Sequence, residues 1–260
     1  MTAPLLDITD LFVRFAGGGE AVRGVSFAMG RERLGLVGAS GSGKSLTGRS
    51  ILRLLPPGAV MSAARLTFDG IDLIGASERQ MRRLRGRRLG LVLQDAKFSL
   101  NPAMSIGRQI AEAYRWHRGG SRRAAKEKAL AALEAVRIHE PHRVYRLYPH
   151  ELSGGMGQRA MIAMMLAGDP DLLVADEPTS ALDVQVQQEV LAILDDQVSR
   201  RGMGLLFISH DLDLVASFCD RVLVMEMGRI VESCAASALL AAQHPYTRRL
   251  LAARPRLLAP

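Results

Sequence analysis

Residues 38–45 read GASGSGKS. Glycines at 38, 41 and 43 let consecutive backbone N–H groups turn toward one point, and such a concave ring of N–H dipoles binds an anion. Lys44 supplies a cation for the terminal phosphates of a nucleotide, and Ser45 a hydroxyl for a divalent ion. The spacing is that of a phosphate loop, GxxxxGK[ST]. Its flanks suit it. RLGLV before it reads as a short buried strand, and SLTGRSILRLL after it has helical period, so a helix N-terminus adds its dipole. The candidate nucleotide contacts are Gly38, Ser40, Gly41, Gly43, Lys44, Ser45 and Leu46.

A second group of chemical side chains stands at the ends of other apolar runs. LLVADE, residues 172–177, finishes in two acids. A buried carboxylate is costly without compensation, and a strand end facing bound Mg²⁺ compensates Asp176. Glu177 is placed to polarise an attacking water. Gln94 ends LGLVL and can offer its amide oxygen to Mg²⁺ or to that water. His210 ends GLLFIS and can contact the γ-phosphate. In open α/β sheets ligands bind at the carboxyl ends of the strands, so strands ending in Gly38, Gln94, Asp176 and His210 are expected to converge on one sheet edge. The metal set is Ser45, Gln94 and Asp176; the catalytic set is Lys44, Gln94, Glu177 and His210.

LSGGMGQR, residues 152–159, poses a different question, since two adjacent glycines precede a run of good helix formers. Ser153 followed by Gly154 and Gly155 reads as a second helix N-terminus open to an anion. The chain has only one lysine-bearing phosphate loop. Two such sites could serve one nucleotide from opposite sides if two subunits meet face to face.

These residues need elements to hold them. LDITDLFVRF and AVRGVSFAM alternate as antiparallel strands around AGGGE, and ARLTFDGIDL is a hairpin turning at Asp69-Gly70. From about Phe98 to Leu147 the chain is rich in Ala, Glu, Lys and Arg with helical spacing, which predicts a helical insert. Wholly apolar strands alternating with helices thereafter predict a parallel sheet covered on both faces. The fold expected is α/β: a phosphate-loop NTPase core with a parallel sheet flanked by helices, an N-terminal antiparallel β-subdomain and an inserted α-helical subdomain. As one domain over 1–260, its core takes 1–95 and 168–235, the helical part 96–167 and a short tail 236–260.

Composition narrows the class. With 48% hydrophobic residues among 260 the chain can bury a large core. Two cysteines, Cys219 and Cys234, exclude a disulfide framework and any Cys/His metal spacing, and read as reduced thiols. MTAPLLDITD lacks a basic leader segment, and the longest apolar run is broken by Asp169, Pro170 and Asp171, so no membrane crossing is expected. The net charge of +8 favours an anionic partner. The basic run Arg82, Arg83, Arg85, Arg87, Arg88 reads first as a solvated helix face, then as a contact to anionic lipid or a partner protein.

LSGGMGQR resembles the signature of ATP-binding cassette ATPases. GASGSGKS, Gln94, LLVADEP, SALD at 180–183 and His210 follow in that family's order, so the resemblance covers nearly the whole chain. It implies ATP and Mg²⁺ as ligands and a head-to-tail dimer. There Ser153, Gly154, Gly155 and Gln158 would serve the facing protomer's nucleotide, while Ser180 and Asp183 would form the loop at the dimer contact. Phe15 matches the aromatic that stacks on adenine, with Phe12 as competitor. QDAKFSLNP at 94–102 and HPYT at 244–247 are similar to segments of peptide/nickel importer ATPases. That implies a subunit on the cytoplasmic face of the inner membrane, energising uptake of peptides, metal chelates or related solutes. Its partners would be two integral-membrane permeases, a second homologous ATPase and an extracytoplasmic solute-binding protein, with no nucleic acid. A permease helix would dock near Ser99 to Ile106. Departures from the subfamily pattern are Ala96 for proline, Gly157 for arginine or leucine, and Ser233-Cys234 for Gln-Gly. Two other classes compete: a non-transport cassette ATPase acting on nucleic acid, and a small-molecule kinase, which gives LSGGMGQR no role.

Overall fold

The computed structural model describes residues 3–94, 99–180 and 182–253. Its chain divides into two compact units, residues 1–76 with 206–260, and residues 77–205. Ala96 lies outside the described residues.

The first unit opens with the expected antiparallel pair, β1 (Leu6–Phe15) and β2 (Glu20–Met29), in the register Leu6 to Met29, Ile8 to Phe27 and Val13 to Val22. Strict alternation would bury every second residue, yet β1 buries Leu6, Ile8, Leu11 and Val13. The extra residue is absorbed at Asp10, which takes φ 52° and donates its N–H to Ser26 Oγ at 2.8 Å. Such a bulge bends a strand, and here it divides β1 between two partners. Leu6 to Thr9 pair with β5 (Arg65–Phe68), and Phe12 to Phe15 pair with β4 (Ala59–Ser62). β6 (Ile71–Asp72) completes the sheet through the Asp69-Gly70 turn, both residues at positive φ.

The same unit carries β3 (Arg33–Val37), which leads into the phosphate loop and helix α1 (Lys44–Ile51). β3 pairs in parallel with β10 (Arg221–Glu226), which returns as a hairpin into β11 (Arg229–Ala235). Arg33 ties the start of β3 to Asp220 through a 2.7 Å ion pair. A helix from Leu212–Phe218, a 3₁₀ turn at Ala236–Ala241 and a last helix at Pro245–Ala252 complete the unit.

The second unit begins with α2 (Glu78–Leu84), fixed by a capping box in which Ser77 and Gln80 satisfy each other's backbone N–H. β7 (Leu89–Val92) pairs in parallel with β8 (Leu172–Asp176), every residue of which is buried. The expected helical stretch forms α3 (Ile106–Arg118), α4 (Arg122–Ala135) and the short α5 (Pro141–Val144). It continues through α6 (Gly154–Leu166), capped by Ser153; α7 (Val184–Arg201), capped by Asp183, follows only after β8. Gly157 is buried inside α6 without interrupting it. β9 (Gly204–Ser209) carries the chain into the first unit. No helix among the described residues is long and apolar enough to cross a membrane.

Neither cysteine forms a disulfide. Burial, reinforced by Asp220 and only partly offset by Arg33, pushes the Cys219 thiol up to about 12. Burial and Glu232 also raise Cys234, which is less enclosed. The thiolate is the reactive form. Iodoacetamide at pH 8 is therefore expected to label Cys234 slowly and Cys219 only after denaturation. Peptide mass spectrometry of native and unfolded samples checks this; rapid native labelling of Cys219 would contradict the assigned packing.

Candidate nucleotide-binding site

The phosphate loop is shaped by close backbone contacts within the first unit. Gly43 caps α1 at φ 102°, and a Cβ there would lie 2.5 Å from the Ala21 carbonyl oxygen. Only glycine both takes that angle and allows that approach. A Cβ on Gly38 would lie 2.1 Å from the Met225 carbonyl oxygen. The outer rim of the loop is different. Ala39, Ser40 and Gly41 are exposed, and nothing lies within 4 Å of a Cβ built on Gly41. The loop thus has a tightly packed back and an open front. Lys44 is only 5% exposed, and its ammonium lies across the loop, donating to Gly38 O at 2.8 Å and Ala39 O at 2.9 Å. Ser45 and Leu46 follow in the first turn of α1, both half-buried.

Phe15 sits at the end of β1, 37% exposed. Phe12 is committed otherwise: its ring covers Gly24, whose Cβ would meet it at 3.3 Å, and Arg14 lies over its face. His210 follows β9 directly and is exposed.

In the second unit Asp176 closes β8 at 5% exposure. Glu177 comes next, half-buried, at φ 49°. A non-glycine residue in that region is strained by about 1–3 kcal/mol and persists where the surroundings enforce it. Here the enforcement is visible: Glu177 O accepts bonds from Ser180 N and Ser180 Oγ, at 3.4 and 3.2 Å. Pro178, one residue on, accepts a 2.7 Å bond from Gln158 Nε2, and Gln158 is 3% exposed. Gln158 thus serves as a strut between the signature helix and the loop that carries Glu177. Asp183 caps α7 by accepting from Val186 N at 2.9 Å. Gln94 is exposed just beyond β7.

The two signature glycines have different surroundings. A Cβ on Gly155 would lie 2.7 Å from Val186 Cγ1, so this glycine lets α6 meet the start of α7. Gly154 has nothing within 4 Å and is exposed. Ser153 is exposed as well and accepts from Met156 N at 3.3 Å, as an N-cap. The open helix start inferred from LSGG is therefore present at Ser153 and Gly154.

The expected site residues are distributed over the two units: Phe15, residues 38–46 and His210 in the first, and Gln94, Ser153 to Gln158, Asp176, Glu177, Ser180 and Asp183 in the second. Of the arginine run, Arg82, Arg83 and Arg87 line a cleft of about 470 Å³ with Glu78, Arg79, Trp116 and His117, whereas Arg85 is held by Glu78 and Arg88 by Asp171, each at 2.6 Å. A contact that the sequence did not suggest is Tyr246 Oη, which accepts the Ala39 N–H at 3.0 Å.

A strand, a glycine-backed loop and a helix bearing a buried lysine define a phosphate-loop nucleotide-binding protein. The particular family follows from similarity. Residues 22–180 match the ABC transporter family. The chain is 49% identical over 257 residues to a probable peptide ABC transporter ATP-binding protein of Sinorhizobium fredii, covering 96% of this chain and 77% of that one. It is 44% identical over 259 residues to the oligopeptide transport ATP-binding protein OppD of Bacillus subtilis, covering 97% and 72%. It is 48% identical over 261 residues to the peptidoglycan transport ATP-binding protein YejF of Agrobacterium fabrum, covering 98% of this chain but about half, 48%, of that relative. In fold it is similar to cbiO1 from Clostridium perfringens, part of the ABC transporter complex cbiONQ (TM-score 0.80, 24% identity, 98% of each chain). It is also similar to the cassette MJ0796 in a dimeric post-hydrolysis state with ADP and Pi (TM-score 0.79, 23% identity, 89% and 98%). The chain belongs to the ABC transporter family and is one of its ATPases.

Proposed function

We propose that this chain is the ATP-hydrolysing subunit of an importer for peptides or similar small solutes. The carrying observation is the phosphate loop with its buried lysine, in a chain whose curated relatives at 44–49% identity are named for peptide, oligopeptide and peptidoglycan transport. On this reading Phe15 stacks on the adenine, and the loop N–H groups with Lys44 hold the phosphates. Glu177 takes a proton from water as its oxygen attacks the γ-phosphorus. The bond to the β–γ bridging oxygen breaks, and ADP and inorganic phosphate leave. His210 contacts the γ-phosphate, and Gln94 orients the water. Ser153 and Gly154 of one protomer meet the phosphates held by the other, so hydrolysis opens the pair. Gln158 acts from behind, through Pro178.

The donors suit Mg²⁺. Among the described residues no three His, Cys, Asp or Glu groups form a metal cage. The hydroxyl of Ser45, the amide oxygen of Gln94 and the buried carboxylate of Asp176 are hard oxygen donors. They are too few for an all-protein site, as fits a cation that shares phosphate and water oxygens. When bound, that cation offsets the charge developing on the β and γ phosphates.

The partners on this reading are two integral-membrane permeases, a second ATPase and an extracytoplasmic binding protein, with this chain peripheral on the inner face of the membrane. Tagged full-length chain should co-purify from detergent-solubilised membranes with two polytopic proteins, and Lys44→Ala should abolish solute uptake without dissolving that complex. Recovery of the chain free of membrane proteins, or bound to nucleic acid at physiological salt, would overturn the transport reading.

A further inference from the structure

The last helix of the first unit is built onto the phosphate loop. Tyr246 Oη accepts the Ala39 N–H at 3.0 Å, across 207 positions of sequence. That N–H belongs to the same peptide plane as the Gly38 carbonyl, which accepts from Lys44 Nζ at 2.8 Å. One peptide is thus held at its two ends, by a phenol on one side and by the Lys44 ammonium on the other. Turning the plane would break both bonds.

Tyr246 is itself anchored from several directions. Its N–H is accepted by His244 Nδ1 at 3.3 Å, which caps the helix, and Pro245 occupies the first helical position. Glu232 Oε1 accepts Gln243 N at 3.0 Å and His244 N at 3.4 Å. Thr247 is fully buried, and Arg249 pairs with Glu226 at 3.2 Å while lying 5.8 Å from the centre of the Tyr246 ring. The segment HPYT therefore has a physical reading: cap, helix start, hydroxyl acceptor and buried anchor.

We infer that Tyr246 is a positioning residue for the nucleotide site, acting through the Gly38–Ala39 peptide on the phosphate loop and Lys44. The inference rests on the ATP-binding reading above. Its weight falls on phosphate binding in the ground state, so ATP and ADP are affected alike. The turnover step, which depends on Glu177, is not.

Tyr246→Phe keeps the ring and its Arg249 contact and deletes only the acceptor. Full-length chain is titrated with methylanthraniloyl-labelled ATP and ADP, and its nucleotide-free melting temperature is recorded. The expected result is a Kd raised about fivefold for both nucleotides, the size of one lost hydrogen bond, with Tm lowered by no more than about 4 °C; in the assembled transporter KM for ATP rises while kcat holds. Arg249→Gln loosens the helix without touching the hydroxyl and gives the comparison. If Tyr246→Phe has wild-type Kd, or raises it no more than Arg249→Gln does, the assignment is overturned. A wild-type chain that binds no ATP would instead overturn the proposed function.

Discussion

Glu177→Gln is expected to lose steady-state ATP hydrolysis by about 10³-fold, the loss that removal of a general base brings, while ATP still binds. Glutamine has the same shape as the residue it replaces and tolerates the positive φ no worse. Ser180 bonds the backbone oxygen at this position, and the substitution leaves that bond in place. The Gln158 bond to Pro178 is likewise untouched. What disappears is a carboxylate able to accept a proton from water. Because the barrier rises after binding, ATP should accumulate on the protein and hold two protomers together. Phosphate release, labelled-nucleotide titration and gel filtration with and without ATP measure the three consequences. Hydrolysis within tenfold of wild type would remove Glu177 from the role of base, and the small-molecule kinase reading would predict no ATP-dependent dimer.

Much of this site was legible because its signals are local. GASGSGKS encodes its own turn, cap and helix start within eight residues, and the flanking apolar strand and amphipathic helix need no tertiary information. The Asp69-Gly70 turn was equally local, since it needs positive φ at both residues and that pair supplies it. The bulge at Asp10 was not legible. LDITDLFVRF reads as simple alternation, and only the change of partner strand along β1 demands an extra residue. Contacts distant in sequence were hidden for the same reason. Nothing in HPYT states that its tyrosine reaches Ala39. Nothing in LSGGMGQR states that Gln158 turns inward to Pro178, although the resemblance placed it at the facing protomer's nucleotide. Phe12 and Phe15 were indistinguishable by type and spacing, and nothing in LFVRF states that the Phe12 ring packs on Gly24.

The paired glycines give the sharpest test of the two-protomer reading, because the fold needs only one of them. Gly155→Ala would force a methyl group to 2.7 Å from Val186 Cγ1, and Val186 is β-branched and stiff, so α6 and α7 must separate. A loss of about 1–3 kcal/mol is expected, as for other overpacked contacts, and a lower Tm reports it. Gly154→Ala meets nothing within 4 Å among the described residues. Alanine in the first turn of a helix reduces the entropy of the unfolded state, so Tm should hold or rise slightly. Yet if phosphates of the facing protomer must approach the N–H groups between Ser153 and Gly155, the added methyl stands in their path. Displacing donors from a developing phosphoryl charge costs on the order of 10²-fold in rate, by analogy with lost oxyanion donors. Gly154→Ala is therefore expected to fold as well as wild type, to bind ATP at its own loop with unchanged Kd, and to hydrolyse it about 10²-fold more slowly. Full hydrolysis by that variant would mean that no phosphate comes near α6, and the facing-protomer arrangement would have to be abandoned.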